Sequence, residues 1–416
     1  MAYLGAVGFG PNSEIIPFKE SYQIDYGNVA MIPIPGTFHA LPWAGSSSDG
    51  RHRVAEVLCE TAWLSPFKDG ARQGACTRHV AARQLTRLAD AGYELKSCYE
   101  AEFMVFRRDG GPRCVPAFPI RGGLTSHLLF SEYEDFVFEM DLKLAAAGVR
   151  LVAFHTECGA GQLEFVTRPE WGIDAADGAF TLKSGVKEMC LRRGLEATSM
   201  SKPVLDQAGN GLHFNHSLWT KRSTADDDPP TENAFYDADR PDGLSAVARH
   251  WLAGLIRHGP ALTALCSPTV NCYRRVHTEW APDRIDWGPD SRFAAFRAKS
   301  TDASATYVEN RLVSGAANPY LALAATVAAG LDGVVKRLEL PPPRRGGPVD
   351  DAGLSAPDSL PEALRALRDD EVMVAALGDE FVDWFVEAKT QLEIKRLGDD
   401  VDRPIEKDLD VYYKFF

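Results

Sequence analysis

The sequence predicts an α+β protein with a small N-terminal domain over residues 1–95 and a large domain over residues 96–416. Two observations support this prediction. Residues before Lys96 form short apolar strand patterns, a loop and one helical pattern, whereas those after it alternate between strands and long helices. The length of 416 residues is also enough for two or three domains and a large buried core.

The individual elements follow from the spacing of apolar residues. In the small domain, the predicted strands are residues 28–35 and 54–60. The helical spacing of Val80, Leu85 and Leu88 predicts a helix over residues 78–91. In the large domain, the predicted helices are residues 133–147, 174–193, 244–257, 319–336 and 371–396. Segments rich in Gly, Pro, Ser or Asp predict loops at residues 45–50, 221–233 and 341–357.

Charge and cysteine usage narrow the function classes. The chain has 45 Lys+Arg against 58 Asp+Glu, a net charge of −13, which argues against nucleic acid or an anionic membrane as partner. Its 8 cysteines form no Cys-x-x-Cys pair, so neither a zinc ribbon nor a redox motif is indicated. The N-terminus lacks the pattern of a signal peptide, and no apolar run is long enough to span a membrane. We therefore expect a cytoplasmic protein.

Paired acids mark the strand that follows Lys96. Period-2 alternation over residues 96–106 places Glu100 and Glu102 on one face of this strand. Neighbouring carboxylates must be neutralised by a cation, a proton or solvent. For this strand taken alone, a solvated sheet face is the simpler interpretation.

Three further strand-like segments add polar side chains of the same kind. Their candidate residues are Glu157 and Glu164, then His213, Asn215 and Ser217, then Tyr307, Glu309 and Arg311. Each has a structural alternative, such as a surface acid, a core histidine or a simple ion pair. Together, five carboxylates and one imidazole suit two Mg²⁺ or Mn²⁺ ions. Arginines at 275, 292, 297 and 311 add guanidinium groups that bind carboxylates and phosphates. A pair of metal ions held by carboxylates beside such arginines indicates phosphoryl transfer involving a nucleotide.

The order of these motifs resembles the glutamine synthetase family over about residues 25–336. The blocks that carry the resemblance are Tyr99-Glu-Ala-Glu-Phe103, Glu157-Cys-Gly-Ala-Gly-Gln-Leu-Glu-Phe165, Gly209-Asn-Gly-Leu-His-Phe-Asn-His-Ser-Leu218, Pro268-Thr-Val-Asn-Cys-Tyr-Arg-Arg275, Trp287-Gly-Pro-Asp-Ser-Arg292, Glu309-Asn-Arg311 and Ala317-Asn-Pro-Tyr-Leu-Ala-Leu323. The resemblance implies a small, here shortened, β-grasp-like domain and a large catalytic domain with a curved antiparallel sheet and flanking helices. It also implies hexameric rings, usually stacked as dodecamers, and active sites shared between neighbouring subunits.

The resemblance implies a role for each candidate residue. One metal would be held by Glu102, Glu157 and Glu164, and the other by Glu100, His213 and Glu309. Glutamate would bind Gly209, Arg275 and Arg311. ATP would bind near Asn215, Ser217 and Arg297, and the reacting groups would be served by Arg292, Arg297 and Glu309. The implied reaction is phosphorylation of the glutamate γ-carboxylate by ATP, followed by attack of an amine on the acyl phosphate.

This chain departs from the family pattern at the ammonia and phosphate sites. Tyr307 and Ser304 stand where the family has a basic residue touching the nucleotide phosphates, and Asn215 replaces a histidine. Trp280 stands where ammonia-using enzymes have a glutamate that shields the intermediate, and the ammonium-binding aspartate of the small domain is not recognisable. A complete metal set without ammonium recognition predicts an ATP-dependent γ-glutamyl ligase that uses a small amine other than ammonia.

Three alternatives remain open at this point. One is an ordinary glutamine synthetase. Another is a structural protein, since segments such as residues 251–258 and 324–333 are similar to lengsin, a lens protein of the superfamily. The last is a nucleotide-independent mutase that uses the metal site without ATP, which the replacement of a cation by Tyr307 would suit.

Overall fold

A computed structural model describes the chain outside a few short segments. The described residues are 2–3, 7–9, 14–17, 19–45, 53–64, 67–108, 115–118, 131, 133–220, 232–276, 278, 280–344 and 353–416. Most of the predicted loops at 45–50 and 221–233, and the middle of the loop at 341–357, lie outside these residues.

The secondary structure alternates between strands and helices along the large domain. The strands are β1 Ala2–Tyr3, β2 Val7–Phe9, β3 Ile15–Pro17, β4 Val29–Pro33, β5 His39–Ala40, β6 Ala55–Glu56, β7 Cys59–Trp63, β8 Tyr93–Arg107, β9 Leu151–Thr156, β10 Gln162–Thr167, β11 Glu170–Trp171, β12 Leu195–Thr198, β13 Leu212–Thr220, β14 Arg284–Ile285, β15 Trp287–Pro289, β16 Phe296–Ser300, β17 Thr306–Asn310 and β18 Leu354–Ser355. The helices are α1 Thr77–Asp90, α2 Glu134–Ala146, α3 Asp174–Arg192, α4 Ala246–Arg257, α5 Gly259–Cys266, α6 Pro319–Lys336, α7 Leu360–Asp369, α8 Glu371–Leu377, α9 Asp379–Lys389, α10 Lys395–Leu397 and α11 Ile405–Tyr412. None of the helices in the described part of the chain has the length and apolar character needed to cross a membrane.

A nine-stranded sheet forms the centre of the large domain. Its main path runs in the order β15-β16-β17-β13-β8-β10-β9, and β11 and β12 also pair with β8. All pairs in this sheet are antiparallel except β15 with β16, which are parallel. The predicted α+β class, with a mostly antiparallel sheet and flanking helices, is therefore confirmed.

The apolar face of this sheet supports the strand that carries the paired acids. Tyr99 packs on Phe214 with ring centroids 4.9 Å apart, and Phe103 packs edge-on against Phe165 at 5.1 Å. The buried Tyr99 hydroxyl donates to the carbonyl of Pro319 at 2.6 Å, which fixes the start of α6 against β8. The face that holds Glu100 and Glu102 is therefore held in place by packing on the opposite face.

The small N-terminal region has its own short sheets. Strands β1, β4 and β7 form a three-stranded sheet, and β2 with β3 and β5 with β6 form two-stranded pairs. The boundary at residue 95 stays a prediction, as does the β-grasp-like character of this region. Helix α1, which the prediction assigns to the small domain, packs against α6 and β8 of the large domain.

Two predicted elements are divided in the structure. The helix predicted over residues 371–396 is broken at Gly378, whose φ of 92° lies in the left-handed region and ends α8 before α9 begins. The strand predicted over residues 54–60 is split into β6 and the start of β7, because the two pair with different partners, β5 and β4.

Helices α4 and α6 approach each other through glycines. A Cβ built at Gly330 would lie 2.3 Å from the indole of Trp251, and one at Gly333 would lie 2.1 Å from the carbonyl oxygen of His250. Trp251 is fully buried and donates to Nε2 of His216 on β13, at 2.9 Å. The glycines therefore allow a close contact between α4 and α6, and Trp251 links this contact to β13.

We expect Gly330→Ala to lower the free energy of unfolding by about 1–3 kcal/mol, because an overpacked indole must move. This loss should appear despite the gain in helix propensity of about 1 kcal/mol that Ala brings. Chemical denaturation measures the change. The matched control is Gly178→Ala in α3, where the added Cβ meets nothing within 4 Å, so that variant should be neutral or more stable. Equal stability of the two variants would contradict the overpacking account.

A buried histidine links the junction of α4 and α5 to two other helices. The Nδ1 atom of His258 lies 2.6 Å from Asp370, which caps α8, and its Nε2 atom lies 3.0 Å from Asp332 of α6. Burial alone would lower the pKa of His258, but the two carboxylates outweigh burial and raise it, and the pKa of each carboxyl is lowered in turn. The imidazolium form therefore stabilises this junction.

The raised histidine pKa makes this stabilisation depend on pH. It is complete below the unfolded-state pKa of about 6.5 and is lost as pH rises through the folded-state value. The aspartates set the other limit: their contribution is complete above their unfolded-state pKa of about 3.9 and is lost as pH falls through the lowered folded-state values. We expect His258→Asn to cost about 2 kcal/mol of unfolding free energy at pH 6 and clearly less at pH 9.5. Urea denaturation at both pH values checks this, and an equal loss at both would refute the charged link.

Candidate active site

The register of the sheet brings the predicted acids to one region of one face. Glu100 of β8 lies directly opposite His213 of β13, and Glu102 lies opposite Glu164 of β10. Directly opposed residues in neighbouring strands point to the same face of a sheet. The next row places Glu309 of β17 opposite Asn215 of β13. Residues that are 209 positions apart in the chain thus become neighbours.

Two guanidinium groups hold the buried carboxylate of Glu309. One oxygen, Oε2, accepts from Nη1 of Arg297 at 3.0 Å, and the other, Oε1, accepts from Nη1 of Arg311 at 2.5 Å. Glu309 is only 1% exposed, so an unpaired charge there would be costly. These two contacts place both arginines beside the acids.

The first group of possible metal ligands contains Glu100, His213 and Glu309. One ligand atom from each lies within 4.8 Å of the others, and Nδ1 of His213 lies 3.3 Å from Glu100 and 3.5 Å from Glu309. Burial would raise the pKa of Glu100, but His213, Asn215 and Arg311 outweigh it and lower that pKa to about 2. This carboxylate is therefore ionised and available as a ligand at neutral pH. The three residues are those predicted for one metal ion.

The second group contains Glu157, Glu164 and His155, also with ligand atoms within 4.8 Å. Burial and the charges of Glu102 and Glu164 raise the pKa of Glu157 to about 7, and burial raises that of Glu164. Nε2 of His155 lies 3.1 Å from Oε1 of Glu164, and this contact raises the pKa of His155 to about 9. The predicted set for this ion had Glu102 in place of His155.

Glu102 lies between the two groups. Its Oε2 accepts from the backbone N–H of Gly211 at 2.9 Å and from Nε2 of Gln162 at 3.1 Å, while Oε1 faces Nε2 of His213 at 4.0 Å. Its charge also contributes to the raised pKa values of the second group. Glu102 is thus held at the centre of a site with an excess of negative charge.

The donor set fits two divalent cations that prefer oxygen. Carboxylate oxygens with one or two imidazole nitrogens suit Mg²⁺ or Mn²⁺, and no cysteine is part of either group among the described residues. Burial is the main cause of the raised carboxyl pKa values, and repulsion from neighbouring carboxylates adds to it. Dications would relieve that repulsion.

The residues predicted to bind glutamate adjoin these acids. Nη2 of Arg275 lies 3.3 Å from Nε2 of His213, and a Cβ at Gly209 would approach the Arg275 side chain to 3.0 Å. Arg275 is fully enclosed, and burial lowers its pKa. The Nε atom of Arg311 is buried and has no hydrogen-bond partner among the described residues. An unsatisfied buried donor beside a second arginine fits a substrate carboxylate.

The residues predicted to bind the nucleotide differ in their surroundings. The Oγ of Ser217 accepts from the Trp219 indole at 2.9 Å, and Nδ2 of Asn215 donates to Glu100 at 2.8 Å. The Oδ1 of Asn215 is buried and without a partner among the described residues. Arg292 is exposed and forms no ion pair within the described ranges, whereas Arg297 also contacts Asp290 at 2.6 Å. The roles of all these residues stay predictions.

Three residues near the site were missed in the sequence. His155 stands two positions before Glu157, so strand alternation could have placed both side chains on the same face. Gln162 lies in the same motif as Glu164 and donates to Glu102. Lys299 lies directly opposite Tyr307, with its Nζ 5.3 Å from that ring. A positive charge is thus present beside Tyr307, supplied by the neighbouring strand.

Comparison of the sequence with protein families agrees with this arrangement of sheet, acids and arginines. The chain belongs to the glutamine synthetase family, whose catalytic-domain model matches residues 74–407.

Relatives from very different organisms share this domain. Dog lengsin is 32% identical over 393 residues, covering 90% of this chain and 63% of that protein, and rat lengsin is 33% identical with 65% of its length covered. The chain thus spans slightly less than two thirds of the length of these two lengsins. The glutamine synthetase of Thermotoga maritima is 32% identical over 88% of this chain and 82% of its own length.

Solved structures of the same family are also similar to this chain. GmaS without ligand, a γ-glutamylmethylamide synthetase, is 30% identical with a TM-score of 0.75, covering 88% of this chain and 81% of that one. A GmaS complex with ADP is 28% identical with a TM-score of 0.76, covering 92% and 86% of the two chains. A glutamine synthase homologue has a TM-score of 0.82 at 24% identity over 99% of this chain and 91% of that one, a likeness of fold alone.

Proposed function

We propose that this protein is an ATP-dependent ligase that joins the γ-carboxylate of glutamate to a small amine other than ammonia. The observation that carries the proposal is the acid site itself: two groups of metal-ligating side chains lie beside Arg275 and Arg311. The similarity to GmaS supports it. Trp280 also supports the proposal, because it stands at the position where ammonia-using members of the family have a glutamate.

The proposed reaction has two steps. An oxygen of the γ-carboxylate attacks the γ-phosphorus of ATP, and ADP leaves. The amine, after losing a proton to solvent, attacks the acyl carbon, phosphate leaves with the C–O electron pair, and a second amine proton goes to that phosphate. Phosphorylation is needed because a free carboxylate has no good leaving group.

The residues of this chain bind and orient the reactants. Arg275 and Arg311 would hold the glutamate carboxylates, and Arg297 would face the transferring phosphoryl group. Lys299 offers a further cation beside Tyr307 for the nucleotide phosphates, near Asn215 and Ser217. Two Mg²⁺ or Mn²⁺ ions, bound by Glu100, Glu102, Glu157, Glu164, His213 and Glu309 with His155 adjoining, would neutralise charge that develops between phosphate and carboxylate.

Phosphate release from Mg²⁺-ATP tests the proposal directly. Purified protein is supplied with glutamate and with ammonia, alkylamines, arylamines, hydroxylated amines or hydrazines in turn. We expect release that requires both glutamate and one class of organic amine, together with the corresponding γ-glutamyl amide in the product mixture. Release with ammonia alone would establish an ordinary glutamine synthetase. Metal and ATP binding without release for any amine would overturn the ligase.

The second candidate is a non-enzymatic protein, which the similarity to the lengsins favours. A protein of that kind has no need for clustered, buried acids, where burial and then the charges of Glu102 and Glu164 raise the pKa of Glu157 to about 7. It would neither release phosphate nor lose its assembly when Glu102 is replaced.

We further propose that the chain forms hexameric rings, stacked as a dodecamer, in the cytoplasm. Rings of this type would place the small domain of one subunit beside the acid site of the next. Analytical ultracentrifugation of the full chain tests the assembly, and a monomer at all concentrations would refute it.

A further inference from the structure

Trp280 is an exposed aromatic side chain that is bound directly to the candidate site. The residue is 49% exposed, yet its backbone carbonyl accepts from Nη2 of Arg311 at 3.2 Å. The same guanidinium holds Glu309 through Nη1. One arginine therefore joins the acid site to the backbone of an exposed indole.

A hydrogen-bonded turn ties Trp280 to the other predicted glutamate-binding arginine. The carbonyl of Arg275 accepts from both the N–H and the hydroxyl of Thr278, at 3.0 and 2.6 Å. The carbonyl of Thr278 in turn accepts from the N–H of Ala281 at 3.2 Å. Trp280 therefore contacts Arg311 directly, and its neighbours Thr278 and Ala281 are linked by hydrogen bonds to Arg275, beside which the acyl group of glutamate is proposed to lie.

The backbone of Trp280 adopts a conformation that a large residue rarely takes. Its φ is 72°, in the left-handed region that favours glycine. The conformation is held by the contact with Arg311 and by stacking of the indole on Phe293, with ring centroids 5.0 Å apart and an angle of 17° between the planes. Strained residues held in this way occur preferentially at binding sites.

We propose that the indole of Trp280 binds the substituent of the acceptor amine, and that the acceptor is a primary amine with an apolar group. One indole face lies on Phe293, and the exposed remainder of the ring is available to a ligand. Primary amines arrive as ammonium cations at neutral pH, and an indole attracts such cations, the ammonium ion of ammonia included. An apolar substituent also gains from leaving water against the ring, a contribution that ammonia lacks. This inference rests on the ligase function proposed above.

The test compares amine dependence in three variants of the full chain. Trp280→Gly removes the ring and relieves the strained φ, so the protein should keep or raise its Tm. Its KM for the organic amine should rise at least tenfold, with the KM values for glutamate and ATP unchanged. Trp280→Phe keeps an aromatic ring and should restore most of the affinity. The matched control is Phe138→Ala in α2 of the large domain, at an aromatic residue that is 46% exposed, and it should leave every KM unchanged.

The outcomes separate this inference from the function on which it rests. A rise in KM confined to the organic amine supports the assignment of Trp280. If the wild type is a ligase but Trp280→Gly changes no amine KM, or changes those for ammonia and organic amines equally, the assignment is overturned and the ligase stands. If the wild type releases no phosphate with any amine, both are overturned.

Discussion

Glu102→Gln is expected to reduce amine-dependent phosphate release about 1,000-fold, a barrier increase of about 4 kcal/mol. The substitution keeps the shape of the side chain, and its amide oxygen can still accept from Gly211 and Gln162. The lost charge lies between the two groups of metal ligands, so affinity for Mn²⁺ or Mg²⁺ should fall at least tenfold. Calorimetric titration of the metal and a phosphate assay measure the two effects.

The same substitution should stabilise the protein when no metal is bound. The charge of Glu102 contributes to the raised pKa values of Glu157 and Glu164, so its removal relieves repulsion. We expect Tm in chelator to rise by roughly 2 °C, the shift of a domain gaining about 1 kcal/mol. Glu134→Gln, at an exposed position in α2, is the control and should change neither activity nor metal affinity. Full activity in Glu102→Gln would refute the metal site.

Arg311→Lys is expected to raise the KM for glutamate about 100-fold, which corresponds to about 2.7 kcal/mol. The lysine keeps the positive charge near Glu309 but loses the forked set of donors. In the native side chain, Nη1 binds Glu309, Nη2 binds the carbonyl of Trp280, and the buried Nε has no partner among the described residues. One ammonium group cannot replace three donors in fixed directions.

Steady-state kinetics with glutamate and ATP varied separately tests this prediction. The KM for ATP should change less than about threefold, because the lysine still neutralises Glu309. The matched control is Arg257→Lys, at an exposed position near the end of α4, and it should behave as the wild type. Equal changes in the two KM values would show that Arg311 supports the whole site and does not bind glutamate in particular.

Long elements with regular apolar spacing were predicted closely. The helix expected over residues 319–336 is α6 with those bounds, and those expected over 133–147 and 174–193 differ from α2 and α3 by one residue at one or both ends. Short elements were missed, among them α5 and α7, because helices of about two to three turns give little periodicity. The break at Gly378 depends on a local φ that the apolar pattern of residues 371–396 does not record.

The face of each active-site strand was also predictable from the sequence. Alternation along β8 places Glu100 and Glu102 together and turns Tyr99 and Phe103 into the core, as the structure shows. Spacing within one strand cannot show which strand lies next to it. Lys299 was missed for this reason, because its relation to Tyr307 exists only through the pairing of β16 with β17.

The sequence by itself predicted the family, the candidate acids and arginines, and the departure at Trp280, because each is a property of residue type and local order. Only the tertiary structure decided how these residues combine: which acids share a group, that His155 joins one of them, and that Arg311 connects Glu309 to Trp280. The physical reason is that strand register and loop closure join residues far apart in the chain. The energies of burial and charge that then shift the pKa of Glu157 to about 7 arise only after those residues meet.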